Sequence, residues 1–453
     1  MLYDLRLELV NASAFVLCVT FCAYVVSIVI FYLRQTTTPR GDGSAYSWHV
    51  IVPCLNEAAV IAGTVRDLLN NFPDLVVWCV DDGSDDGTDE ILASLAHPRL
   101  HVVRRDLPEA RQGKGAALNA GWRALRASLP PGTDTSRVLV GVVDADSRLD
   151  PHFRDVLAGP AYFGSSKVEA VQIEVRMLNR RRRYRGVRTT GWGRLLVTLQ
   201  DLEFRGPIAA MQHLRKRTGS VGLGGNGQFT RLSALNMIAE RYGTPWHGAL
   251  LEDFELGLHV LMIGGRTEYC AETWVAQEGL TRIRALVRQR ARWCQGGMQC
   301  LKYLPQVFGS RRLRNPAVLE IAYFLAAPWV QLVGTVVYAA CFGIMVWYAS
   351  TTFGGFDSWW WHGGWAVIPL VALFGILPFA VWGPIYRARV DRRITRLRAV
   401  GLGLAFWMYS YIQSVAVWYA FLRLVRMKKD WQKTIRIAAY PAVAGRPARP
   451  RPS

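Results

Sequence analysis

The sequence has no Cys-x-x-Cys pair and no cysteine–histidine grouping at metal-ligand spacing; its eight cysteines are scattered, with Cys18 and Cys22 inside an apolar run. Neither a zinc module nor a disulfide framework is therefore implied. No Walker-type glycine loop is present, which removes ATP hydrolysis from the chemistries to consider. The residues before the first apolar run include Asp4, Arg6 and Glu8 rather than a positive cluster, and no small-residue cleavage site follows. That run is expected to be a retained anchor, not a secretory leader. Acidic residues are few, 34 against 54 lysines and arginines, for a formal charge of +20. Much of the surplus flanks apolar runs, where Lys and Arg face anionic head groups, so nucleic acid is not expected as a partner.

What is present divides the chain into a soluble part and a membrane part. Residues 12–33 form an uncharged run, long enough to cross a bilayer core of about 30 Å. Arg34 and Arg40 follow it, which puts the next segment in the cytoplasm by the positive-inside bias. Three more apolar runs cover 319–348, 365–385 and 400–425. The loop 351–364 has no Lys or Arg and carries Trp359, Trp360 and Trp361, which suits the outer face. Arg387, Arg389, Arg392, Arg393, Arg396 and Arg398 suit the inner face. One conflict follows. If the last run crosses once, Arg423, Arg426, Lys428, Lys429, Lys433 and Arg436 emerge outside. Either that run turns back or lies in the interface, or an earlier run does not span, so the crossings number about four.

Between the apolar parts, short β-branched runs at 48–53, 76–80, 100–103 and 138–143 alternate with helical patterns at 58–70, 87–96 and 115–127. Such alternation predicts an α/β domain with a mixed, mostly parallel sheet, and ligands bind such sheets beyond the carboxyl ends of the strands. Asp81 and Asp82 stand at one strand end, suited to a base N–H or a ribose hydroxyl; taken alone, a plain Asp-Gly turn with Asp86 or Thr88 as a helix cap accounts for them better. Asp144 and Asp146 stand at another, and all-oxygen ligands suit Mg²⁺ or Mn²⁺. Lys114, flanked by Gly113 and Gly115, opens a helix and suits a phosphate, or is merely solvated. Glu252 and Asp253 begin a helix as dipole partners, or take a proton from a sugar hydroxyl. The Gly224-Gly225-Asn226-Gly227 loop lets a substrate approach the backbone, or is a flexible turn.

Gln289, Arg292 and Trp293 share one helical face, where the Arg fork suits a diphosphate and the Trp a sugar ring. With Arg282, Arg284, Arg288 and Arg290 close by, the same helix also suits the membrane interface. The basic run of Arg180 to Arg183, with Arg185 and Arg188, is most simply a solvated loop.

Taken in order, Val52 to Glu57, Val80 to Ser84, Gly113 to Gly121, Asp144-Ala145-Asp146, Gln200 to Phe204, Glu252-Asp253 and Gln289-Arg290-Ala291-Arg292-Trp293 resemble the membrane-integrated processive family 2 glycosyltransferases, the group of cellulose, chitin and hyaluronan synthases. The resemblance covers 50–301 and the membrane arrangement. It implies a GT-A domain at 44–280, an anchor at 1–43, interfacial helices at 281–318, a membrane region at 319–425 and a basic cytoplasmic tail at 426–453. The implied protein is a multi-pass plasma- or inner-membrane enzyme with its catalytic domain in the cytoplasm.

The implied reaction is inverting, processive transfer from a UDP-sugar to a β-linked polysaccharide, with single transfer to a lipid-linked acceptor as the alternative. By resemblance, Asp81, Asp82 and Glu57 lie on the nucleotide sugar, Asp144 and Asp146 on ribose and the Mg²⁺ or Mn²⁺ ion, and Lys114, Gln289 and Arg292 on the diphosphate. Asp253 is the implied general base, and Trp293, Glu252 and Gly225 face the acceptor. Implied partners are the UDP-sugar donor, a glycan acceptor, membrane lipids, and accessory export subunits or a homo-oligomer. Leu251 departs from the Thr common before Glu-Asp in cellulose synthases, and a short tail rich in Pro and Arg replaces their pilus-type regulatory module.

Overall fold

The computed structural model describes residues 2–180, 183–184, 187–352 and 354–426. Arg181, Arg182 and Arg185 of the basic run, and the tail beyond Arg426, lie outside the described residues.

Among the described residues ten strands run in chain order as β1 Ser47–Cys54, β2 Leu75–Asp81, β3 Leu100–Arg104, β4 Val138–Val142, β5 Arg148–Leu149, β6 Val168–Met177, β7 Arg183–Tyr184, β8 Val187–Arg188, β9 Gln228–Arg231 and β10 Arg266–Gln277. Eight form one sheet, ordered β3-β2-β1-β4-β9-β6-β10-β5, while β7 and β8 pair separately. The four strands expected from the sequence are mutually parallel, as are β6 and β10. β9 is antiparallel to both β4 and β6, and β5 to β10, so the sheet is mixed.

Side chains alternate across each strand and feed two cores. Val50, Val52, Val77 and Cys79 pack under the Ile61–Asn71 helix with Phe153 and Leu157. Ile51, Trp78, Val80 and Val140 pack under the Lys114–Ser128 and Leu232–Tyr242 helices. The result is a three-layer α/β domain whose β1, β2 and β4 end on one rim.

Among the described residues four helices are long and apolar enough to cross a membrane: Ala12–Leu33, Asn315–Thr351, Gly364–Arg389 and Arg396–Val425. The last is one continuous helix, so it does not turn back on itself. The third is broken into short helical and π segments; Pro369, Pro378 and Pro384 along it each remove a backbone donor. The first, third and fourth of these helices share a core with the α/β domain, where Ile28, Tyr32, Trp382, Tyr386 and Phe406 meet Leu196, Leu199 and Tyr269. A buried ion pair adds a second tie: Arg215 donates to Glu320 at 3.0 Å, and Tyr24 donates to the same oxygen at 2.9 Å.

The third and fourth of these helices cross at two glycines. A methyl group on Gly403 would lie 2.0 Å from the Ala380 carbonyl oxygen, and one on Gly383 would lie 2.1 Å from that of Ala399. Backbone cannot yield to such an intrusion as a side chain can. Gly403→Val is expected to destabilise the folded chain by about 3 kcal/mol, the upper range for overpacking, read as a lowered thermal midpoint in detergent.

Candidate active site

The rim of the sheet opens into a cavity of about 1920 Å³ whose wall continues down between the four membrane-length helices. Near its centre lies Lys114, the first residue of its helix. Its Nζ donates to Asp144 Oδ1 at 2.8 Å and to the Gly225 carbonyl at 2.7 Å, and lies 4.0 Å from Glu252 Oε1. A methyl on Gly225 would stand 2.9 Å from this Nζ and 3.2 Å from Asp253 Oδ2. Four segments remote in sequence thus meet around one ammonium group.

Glu252 and Asp253 occupy the first turn of the Glu252–Met262 helix, and both are buried. Burial pushes both carboxyls above the ordinary carboxylate range, and each raises the need for a counter-charge. Lys114 supplies it, lowering both, and Arg292 adds its charge toward Glu252. In turn, burial works against the Lys114 charge, but Asp144 and Glu252 outweigh it and raise the ammonium pKa.

Gln289, Arg292 and Trp293 lie on the Ile283–Cys300 helix and border the same cavity, as does Glu57 beyond β1. The structure therefore gathers Glu57, Lys114, Asp144, Gly225, Glu252, Asp253, Gln289, Arg292 and Trp293 around one space.

Asp81, Asp82 and Asp146 are placed otherwise. Asp81 is ion-paired with Arg104, and Asp82 with Arg105. Neither carboxylate borders the cavity. The arginines are the last residue of β3 and its successor, and Arg104 stands in register beside Asp81. Asp146 is fully buried, and its Oδ2 accepts from the Glu278 backbone at 3.0 Å. Among the described residues no three His, Cys, Asp or Glu side chains converge as a preformed metal cage.

Sequence reasoning missed the amides that shape the rim. Asn226 Oδ1 accepts from the Asp144 backbone at 3.2 Å, while its Nδ2 donates to Ser147 Oγ at 2.8 Å and Gln277 Oε1 at 2.7 Å. Gln172 accepts from Gly224 N at 2.7 Å and donates to the Asn226 carbonyl at 2.9 Å. Asn226 stood in the glycine loop in plain view, but its partners come from β6, β10 and the loop after β4. Arg180, expected in a solvated loop, instead pairs with buried Asp201 at 3.2 Å.

The family model for "Glycosyltransferase like family 2" matches residues 47–296, which hold the whole sheet and the cavity rim. The chain belongs to this family. Within family 2, the chain is similar to the β-monoglucosyldiacylglycerol synthase of Trichormus variabilis, 31% identical over 60% of this chain and 53% of the relative. The "Probable glycosyltransferase YdaM" of Bacillus subtilis is 23% identical over 85% of this chain and 86% of its own. The chain spans about half the length of the synthase relatives it matches. Among solved structures, the mannosyltransferase PcManGT of Pyrobaculum calidifontis, in complex with GDP-Man and Mn²⁺, superposes with a TM-score of 0.58. The match has 16% identity and covers 92% of this chain and 99% of that one. The fold is the GT-A type expected for family 2, with a helical carboxyl-terminal region.

Proposed function

We propose that this chain is an inverting membrane glycosyltransferase that transfers one sugar from a nucleoside-diphosphate sugar, a UDP-sugar, to the hydroxyl of a lipid acceptor. One observation carries the reading: the cavity that holds Lys114, Asp144 and Asp253 is continuous with a wall of Phe15, Cys18, Tyr338, Leu370 and Phe374 on membrane-length helices. A water-soluble acceptor has no use for that wall; an acyl chain does. The synthases that the chain resembles make, by name, a β-monoglucosyldiacylglycerol.

The chemistry follows from the charges. Ionised Asp253 takes the proton of the acceptor hydroxyl as its oxygen bonds to the anomeric carbon, and the bond from that carbon to the diphosphate breaks. Displacement from the opposite face turns an α-linked donor into a β-linked product. Lys114, Arg292 and Gln289 receive the negative charge that builds on the leaving diphosphate. The donor chemistry suits a hard divalent cation: Asp144, which borders the cavity, and buried Asp146 would offer it carboxylate oxygens. An Mg²⁺ or Mn²⁺ ion held there supplies further positive charge to the diphosphate.

Trp293 on the cavity wall, with Thr20, Gln331, Ser410 and Gln413 among the membrane-length helices, also supports a second reading, processive extension of a glycan. Product length separates the two. Membranes containing the chain, given radiolabelled UDP- and GDP-sugars, are expected to yield a solvent-extractable lipid carrying one added sugar. EDTA is expected to abolish the label and Mn²⁺ to restore it. A polymer that stays insoluble in organic solvent would overturn single transfer in favour of the second reading.

A further inference from the structure

We infer that a part-buried triangle of Glu203, Arg290 and Tyr409 orients Trp293 for the acceptor, so that the last membrane-length helix sets the acceptor end of the site. The inference rests on the reading that Trp293 receives the acceptor. Arg290 stands inside the Gln289–Trp293 segment yet turns away from Arg292, and only 3% of it is exposed. Its Nη2 bonds to Glu203 Oε2 at 2.5 Å and reaches the Tyr409 hydroxyl at 3.4 Å. Tyr409 closes the triangle by donating to the same Glu203 oxygen at 2.7 Å.

The guanidinium also lies over the Trp293 ring, its Cζ 4.1 Å from the centroid. Phe204, next to Glu203, meets that indole edge-on, with centroids 6.1 Å apart and planes at 90°. A flat cation stacked on an indole and clamped at its edge fixes the plane of the ring. A buried ion pair contributes little stability beyond what apolar residues of the same volume give. Its benefit here is therefore orientation. The three members come from the Gly191–Glu203 helix, the Ile283–Cys300 helix and the Arg396–Val425 helix. A shift of the last helix thus reaches the ring through one hydroxyl. Glu203, Arg290 and Tyr409 also border the cavity; the role inferred for them is positioning, exerted through Trp293.

Deleting Glu203 would strand a buried cation and invite misfolding, so the test uses milder changes in the full chain reconstituted in nanodiscs. Tyr409→Phe removes one hydroxyl, and Arg290→Lys keeps the charge but loses the flat face. Tyr419→Phe, on the same helix, 37% exposed and outside the cavity lining, is the control. With a UDP-sugar as donor and dioleoylglycerol or octyl glucoside as acceptor, KM for the acceptor is expected to rise about fivefold in Tyr409→Phe and about tenfold in Arg290→Lys. KM for the donor should hold. In protein labelled with 5-fluorotryptophan, the resonance lost in Trp293→Phe should move in both variants and stay in the control, whatever the acceptor.

Transfer to octyl glucoside alone would count against the lipid reading while leaving the KM comparison intact. An unmoved Trp293 resonance, or variants that lower the thermal midpoint without changing acceptor KM, would overturn the inference.

Discussion

Asp253→Asn is expected to bind the nucleotide sugar normally and to transfer it about 10³-fold more slowly, within the range for loss of a general base. The substitution keeps the shape of a side chain that is buried at the first turn of its helix, so folding should survive. Asn cannot accept the hydroxyl proton at any working pH. A kcat that falls while the donor dissociation constant holds would match this role; a fall in donor affinity of the same size would move Asp253 from catalysis to binding. The wild-type profile carries a second signature. Burial lifts the Asp253 carboxyl above the ordinary carboxylate range, and only the ionised form is a base. The rate should therefore climb as pH rises through that lifted value and be lost below it.

Lys114→Ala is expected to lower kcat by about 10²- to 10³-fold, the effect of removing one donor to a developing oxyanion. It also removes the cation among Asp144, Glu252 and Asp253. Lys114 lowers both Glu252 and Asp253, so its loss removes a main counterweight to burial and to the neighbouring carboxylates and raises them further. The ascending limb of the pH–rate profile should shift toward alkaline pH. Lys114→Arg, which keeps the charge, should restore the position of that limb more fully than it restores kcat. If Lys114→Ala left the limb where it was, the ammonium would not be the electrostatic partner of the base.

The parallel half of the sheet was legible because β1, β2 and β4 are buried strands whose apolar runs are bounded by glycine turns and helical patterns. The acidic clusters were legible because they follow strand ends, where α/β sheets present ligands. β9 escaped notice: four residues, Gln228–Arg231, with three polar positions, form a strand only because β4 and β6 flank them. The pairing of Asp81 and Asp82 with Arg104 and Arg105 depends on the register of β2 against β3, which periodicity does not specify. Arg290 was taken with its neighbours as part of an interfacial face, because its partner Glu203 lies 87 residues away. In each case the missing information is a long-range contact, while the residue types themselves were in view.

For the lipid acceptor proposed above, the cavity that joins the sheet rim to the membrane-length helices carries a kinetic consequence. An acceptor that enters from within the leaflet is sampled in two dimensions, so what saturates the enzyme is its mole fraction among neighbouring lipids, not its amount per litre. Diluting the bilayer with inert phospholipid should then slow turnover even when total acceptor and total protein are held constant.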